Sequence, residues 1–65
     1  MTSESWRPAS CWMLGKPGSC AFLYRHDHYW YVDVTHEGES LTGGPFVELD
    51  AAKRWGDVTL EVLRG

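Results

Sequence analysis

Long apolar runs are missing from this sequence. No stretch reaches the length of a signal-peptide core or a membrane span. Cysteine is scarce: Cys11 and Cys20 are too few for a disulfide framework and lack C-x-x-C spacing. Free thiols in a reducing compartment fit that count, so the expected location is the cytoplasm. Catalytic signatures are missing too. There is no G-x-S-x-G, no H-E-x-x-H, and no lysine or Ser/Thr in P-loop register after Gly43-Gly44-Pro45. Between Arg25 and Lys53 there is no lysine or arginine, whereas Asp27, Asp33, Glu37, Glu39, Glu48 and Asp50 all fall in that interval. With a net charge of −3, one side of the molecule is expected to be strongly negative, which disfavours direct contact with nucleic acid.

What remains is short and aromatic. A chain of 65 residues makes one domain at most, and such a domain buries only about 60% of its unfolded surface. Four tryptophans soften that limit, because each aromatic side chain buries roughly 150–250 Å². One sheet and one helix fill the available volume, which leaves little room for a deep substrate cleft.

The centre of the pattern is Cys20 to Thr35, two strands about a tight turn at Asp27-His28. Trp30, Val32 and Val34 alternate with Tyr31, Asp33 and Thr35, so the first set is expected to face a core. A two-residue turn pairs His26 with Tyr29, Arg25 with Trp30, Tyr24 with Tyr31, Leu23 with Val32 and Ala21 with Val34. That register leaves Phe22, Tyr24, Tyr29 and Tyr31 on the opposite face. A three-residue turn would exchange the faces. Upstream, Ser10 to Leu14 reads as a first strand, and Gly15-Lys16-Pro17-Gly18 as a loop that pairs Trp12 with Ala21 and Leu14 with Ser19. Both hairpins then agree on one inside.

Residues 1–9 read as a loose arm that Trp6 tacks onto the body, and residues 10–65 as the single domain. Gly43-Gly44-Pro45 is expected to interrupt regular structure. Phe46 to Gly56 reads as a short helix with its entry: Leu49, Ala52 and Trp55 share a face, and Gly56 suits a C′ stop. Asp57 to Arg64 alternates again and reads as a closing strand. The expected fold is α+β, in the order β-β-β-α-β, with three to four antiparallel strands and the helix on one face. Its core would be Trp12, Leu14, Ala21, Leu23, Trp30, Val32, Val34, Phe46, Leu49, Ala52, Trp55, Val58, Leu60 and Val62.

His26-Asp27-His28 with His36 is the one cluster resembling a metal site, but two ligands share a turn and the third ends a strand. Zinc needs three or four converging ligands, so no metal and no cofactor is expected. Glu37 and Glu39 lie in a polar loop without an apolar pocket to raise a carboxyl pKa, and an enzyme is not expected. Two surfaces remain. Phe22, Tyr24, Tyr29 and Tyr31, near Met13 and Cys20, would form an aromatic patch on the helix-free face, which suits a protein partner or a homodimer. Asp27, Asp33, Glu37, Glu39, Glu48 and Asp50 would form an acidic surface able to imitate nucleic-acid phosphates.

The Phe46-x-x-Leu49-x-x-Ala52-x-x-Trp55 helix behind three strands resembles small domains of phages and mobile elements. It is similar to the arm-type DNA-binding domains of integrases, whose sheets are basic where this one is acidic. In size, acidity and lack of catalytic motif the chain looks more like the phage-encoded anti-CRISPR proteins. That resemblance implies a non-enzymatic inhibitor, an acidic DNA mimic blocking a basic surface of a defence complex in the host cytoplasm. The alternative expectation is a small accessory or dimerisation domain without an inhibitory role.

Overall fold

The structure is a computed structural model and describes residues 6–8 and 12–65. Among these residues five strands run in sequence order across one antiparallel sheet: β1 (Arg7–Pro8), β2 (Trp12–Lys16), β3 (Ser19–His26), β4 (Tyr29–His36) and β5 (Glu39–Phe46). The helix α1 (Leu49–Arg64) follows and packs across β3, β4 and β5. The expected α+β class holds, an antiparallel sheet with one helix on one face. No helix among the described residues is long and apolar enough to cross a membrane.

The central hairpin has the expected register, from His26 opposite Tyr29 to Ala21 opposite Val34. Asp27 makes the turn with φ at 59°, a left-handed conformation that Asp tolerates better than most residues. The first hairpin is tighter than expected. Its turn is Pro17-Gly18, so Trp12 lies opposite Leu23 and Leu14 opposite Ala21. The expected pairs, Trp12 with Ala21 and Leu14 with Ser19, are off by two residues. An even shift leaves every side chain on its expected face, so the inside is the expected one.

Two expectations about the second half are corrected. Glu39–Phe46 is a strand, although Gly43-Gly44-Pro45 lies within it. A register shift between Trp30 and Val32 absorbs the glycine–proline step, and that irregularity lets the edge strand tolerate a residue without an N–H. The order is also β-β-β-β-β-α, not β-β-β-α-β. Asp57 to Arg64 continues the helix and forms no closing strand. Val58, Leu60 and Val62 alternate, but only Leu60 is buried, while Val58 is 55% exposed and Val62 71%. At 100° per residue the inward stripe is Leu49, Ala52, Gly56, Leu60 and Leu63, which takes Leu63 into contact with the core instead.

Gly56 is therefore a helix-interior residue and not a stop. A Cβ there would lie 2.9 Å from Val32 Cγ1 and 3.0 Å from the Trp6 ring. Gly43 makes room in the same way, for the Trp55 ring, which a Cβ would meet at 2.7 Å. The core is Leu14, Ala21, Leu23, Val32, Val34, Ala52 and Leu60, ringed by Trp6, Trp12, Trp30, Phe46, Leu49, Trp55 and Leu63. Trp6 packs on this inner side, and Arg7–Pro8 pair with Trp12–Met13. That part of the chain is thus joined to the sheet, not loose. The rest of the expected arm, the start of the first strand and Cys11 lie outside the described residues; Cys20 is a buried free thiol.

Candidate functional site

Strand parity builds the face of the sheet opposite α1. One row across it is Met13, Phe22, Asp33 and Thr42. Beside it lie Tyr24 and Tyr31, then His26 and Tyr29, all turned to the same side because side chains alternate along a strand. The other neighbouring row is Gly15, Cys20, Thr35 and Ser40. Phe22 is 38% exposed and Tyr29 42%. The four expected aromatics are therefore brought onto one face, which no described element covers. Trp6, which would have been the natural cover, packs on the other.

The tyrosines are ordered by their neighbours. Tyr24 and Tyr31 stack with ring centroids 5.8 Å apart and planes 19° apart, and His26 meets Tyr31 edge-on at 6.4 Å. Asp33 is fixed at the centre by a 2.9 Å hydrogen bond from the Thr42 hydroxyl to Oδ1. Thr42 was no expected site residue, and its role follows from cross-strand pairing alone. Burial raises the pKa of the Tyr24 phenol above its ordinary value, and the negative charges of Asp33 and Tyr31 add to the effect.

A titration follows from that shift. In the unfolded chain Tyr24 ionises near its ordinary pKa of about 10, whereas the folded protein holds the proton longer. The contribution to stability is whole below the unfolded value and is lost as pH rises through the folded one. Asp33→Asn is expected to lower the pKa of the Tyr24 phenol, read in a spectrophotometric titration at 295 nm against a Tyr24→Phe control. An unaltered titration curve would show that Asp33 does not act on Tyr24.

The six carboxylates do not gather on one face. Asp27 is at the tip of the β3–β4 hairpin, and Glu48 and Asp50 start the helix near where β5 ends. Glu37 and Glu39 lie at the opposite end of the sheet, in and after the β4–β5 turn. Asp33 alone belongs to the aromatic face. His26 and His28 flank the Asp27 tip, with His26 Nε2 3.7 Å from Asp27 Oδ2, while His36 closes the far end of β4. Among the described residues no three His, Cys, Asp or Glu side chains converge as metal ligands.

A second polar group was invisible in the sequence. Ser19 is buried, and its Oγ is 2.9 Å from His36 Nδ1 while accepting a 2.9 Å hydrogen bond from Arg64 Nε. Arg64 Nη2 also donates to the Ser19 carbonyl at 3.2 Å. A shallow pocket of about 580 Å³ opens beside them, lined also by Lys16 and Glu37. The Glu37 carboxylate is 3.6 Å from His36 Nε2, beyond hydrogen-bonding distance. The group ties the end of α1 to the start of β3, a link between residues 45 apart in sequence.

Comparison with protein families, curated proteins and solved structures returns no match for this chain.

Proposed function

We propose that this protein is a non-enzymatic binding module whose open sheet face occupies a basic surface on a larger protein. One observation supports this most: Met13, Phe22, Tyr24 and Tyr31 surround a single anchored carboxylate, Asp33, and no described element covers them. Aromatic side chains with few rotatable bonds supply contact area at low entropic cost. A central carboxylate favours a cationic partner group, and a guanidinium can pair with it while stacking on the tyrosines. Self-association through the same face is disfavoured, since it would bring two Asp33 carboxylates towards each other near the symmetry axis.

The narrower form of the proposal is an inhibitor that displaces nucleic acid from that basic surface. It draws on Asp33 and on the uneven charge along the chain.

The test is binding kinetics against a target cross-linked through a photoreactive group at position 22. Phe22→Ala with Tyr31→Ala is expected to speed dissociation, because aromatic anchors act after encounter. Asp33→Asn is expected to slow association and flatten its salt dependence, whereas Glu37→Gln with Glu39→Gln leaves both unchanged. Unchanged kinetics in the aromatic pair would rule out the face as the binding surface. For the narrower form, nucleic acid must compete for the target; simultaneous binding would exclude it.

A further inference from the structure

The second exposed apolar region lies at a different place, along strand β5 and the flank of α1 above it. At 100° per residue, Ala51, Trp55, Val58, Thr59 and Val62 fall on the flank that leans over β5, where Trp55 packs on Gly43 and Phe46. None of them is charged. The charged residues Asp50, Lys53, Asp57, Glu61 and Arg64 fall on the other flank, where Lys53 Nζ sits 4.3 Å over the Trp12 ring. Arg54 lies on the solvent rim between the two. Below the apolar flank, Leu41 of β5 points to the same side of the sheet and is 48% exposed.

Among the described residues β5 is also an edge strand, with β4 as its one neighbour. The Glu37-Gly38 turn has φ of 49° and 88°, as a two-residue type I′ turn requires. Such a turn closes on a hydrogen-bonded pair, here His36 and Glu39. Alternation then directs the backbone groups of Glu39, Leu41 and Gly43 to β4 and those of Ser40 and Thr42 to the free edge. Pro45 has no N–H to offer, so the pairable edge stops before it.

We propose that β5 pairs antiparallel with β5 of a second copy, on a two-fold axis at Leu41, to join two sheets into one. The choice of a second copy rests on self-complementarity. Centring on Leu41 gives the longest overlap that stops short of Pro45 and uses the free groups of both Ser40 and Thr42. Leu41 meets Leu41, Ser40 meets Thr42, and Glu39 meets Gly43, so no like charges are opposed. Both helices lie on the same side of the joined sheet, and their uncharged flanks face each other across the two leucines. An isologous contact of this kind closes as a dimer and removes the exposed edge. It leaves the tyrosine face open and doubles its extent.

Sedimentation equilibrium of the full chain over a concentration series tests this, with circular dichroism to confirm folding. The wild type is expected to approach twice the monomer mass, and Leu41→Lys, which sets two cations against each other on the axis, to return it to one. Ser40→Pro removes an outward N–H without touching the β4 ladder and is expected to do the same. Register is read separately by oxidising Leu41→Cys in a Cys11→Ser, Cys20→Ala background. A disulfide-linked dimer is expected there and none from Thr42→Cys, which is not opposite itself. A wild type that stays monomeric at its highest soluble concentration overturns the proposal. So does a dimer that survives both edge variants and is lost in Phe22→Ala with Tyr31→Ala. That last outcome would place the contact on the tyrosine face, so this test is distinguishable from that of the binding surface.

Discussion

Leu23→Ala is expected to destabilise the protein by about 2–5 kcal/mol, the range for deleting a large aliphatic side chain from a packed core. Leu23 has 0% exposure and sits between Trp12 and Val32 in the sheet, under the helix. A chain of 65 residues is held by only roughly 3–10 kcal/mol, at about 0.05–0.15 kcal/mol per residue. One methyl-rich side chain thus represents a large part of the total, because so few others share the core. Urea unfolding followed by tryptophan fluorescence reads the change, with Glu61→Ala as the control. Glu61 is exposed on the charged flank of α1, and its truncation is expected to stay within about 0.5 kcal/mol. Equal losses at the two positions would mean that the helix faces the sheet differently.

Gly56→Leu is expected to destabilise as well, by about 1–3 kcal/mol, the usual cost of overpacking. The sign is informative because local preference runs the other way. Leucine is better than glycine in a helix interior by close to 1 kcal/mol. Against that gain stand Val32 Cγ1 at 2.9 Å and the Trp6 ring at 3.0 Å from the Cβ position alone. Val32 is itself fully buried and cannot move aside. Trp6 can, so part of the loss is expected as freed Trp6, visible as a red shift in fluorescence relative to a Trp6→Phe background. A Gly56→Leu protein more stable than the wild type would show that the helix is placed by propensity and not by contact with β4 and Trp6.

Period decides which elements of this chain are legible in its sequence. Between Cys20 and Thr35 the side chains alternate over two adjoining segments with one short turn, which a two-residue or a three-residue turn could close with opposite faces inward. The favoured two-residue register is the one found, and with it the aromatic face that holds Asp33. From Asp57 to Arg64 the same period-two signal misled: a four-residue step, from Gly56 to Leu60, serves a helix equally well, and Val58 and Val62 are solvent-facing residues that happen to alternate with it. The deciding fact was distant. Gly56 lies inside the helix where Val32 and Trp6 occupy the space a side chain would take. Gly43 lies in a strand where the Trp55 ring does the same. In each case a glycine that locally reads as a breaker is a point of close approach between elements far apart in the chain. The Ser19–His36–Arg64 link, the division of the carboxylates among three places, and the apolar flank above β5 likewise exist only once the helix has docked. Local pattern sets which side of a strand is apolar; which elements meet, and where glycine is needed to let them meet, is set by packing across the whole chain.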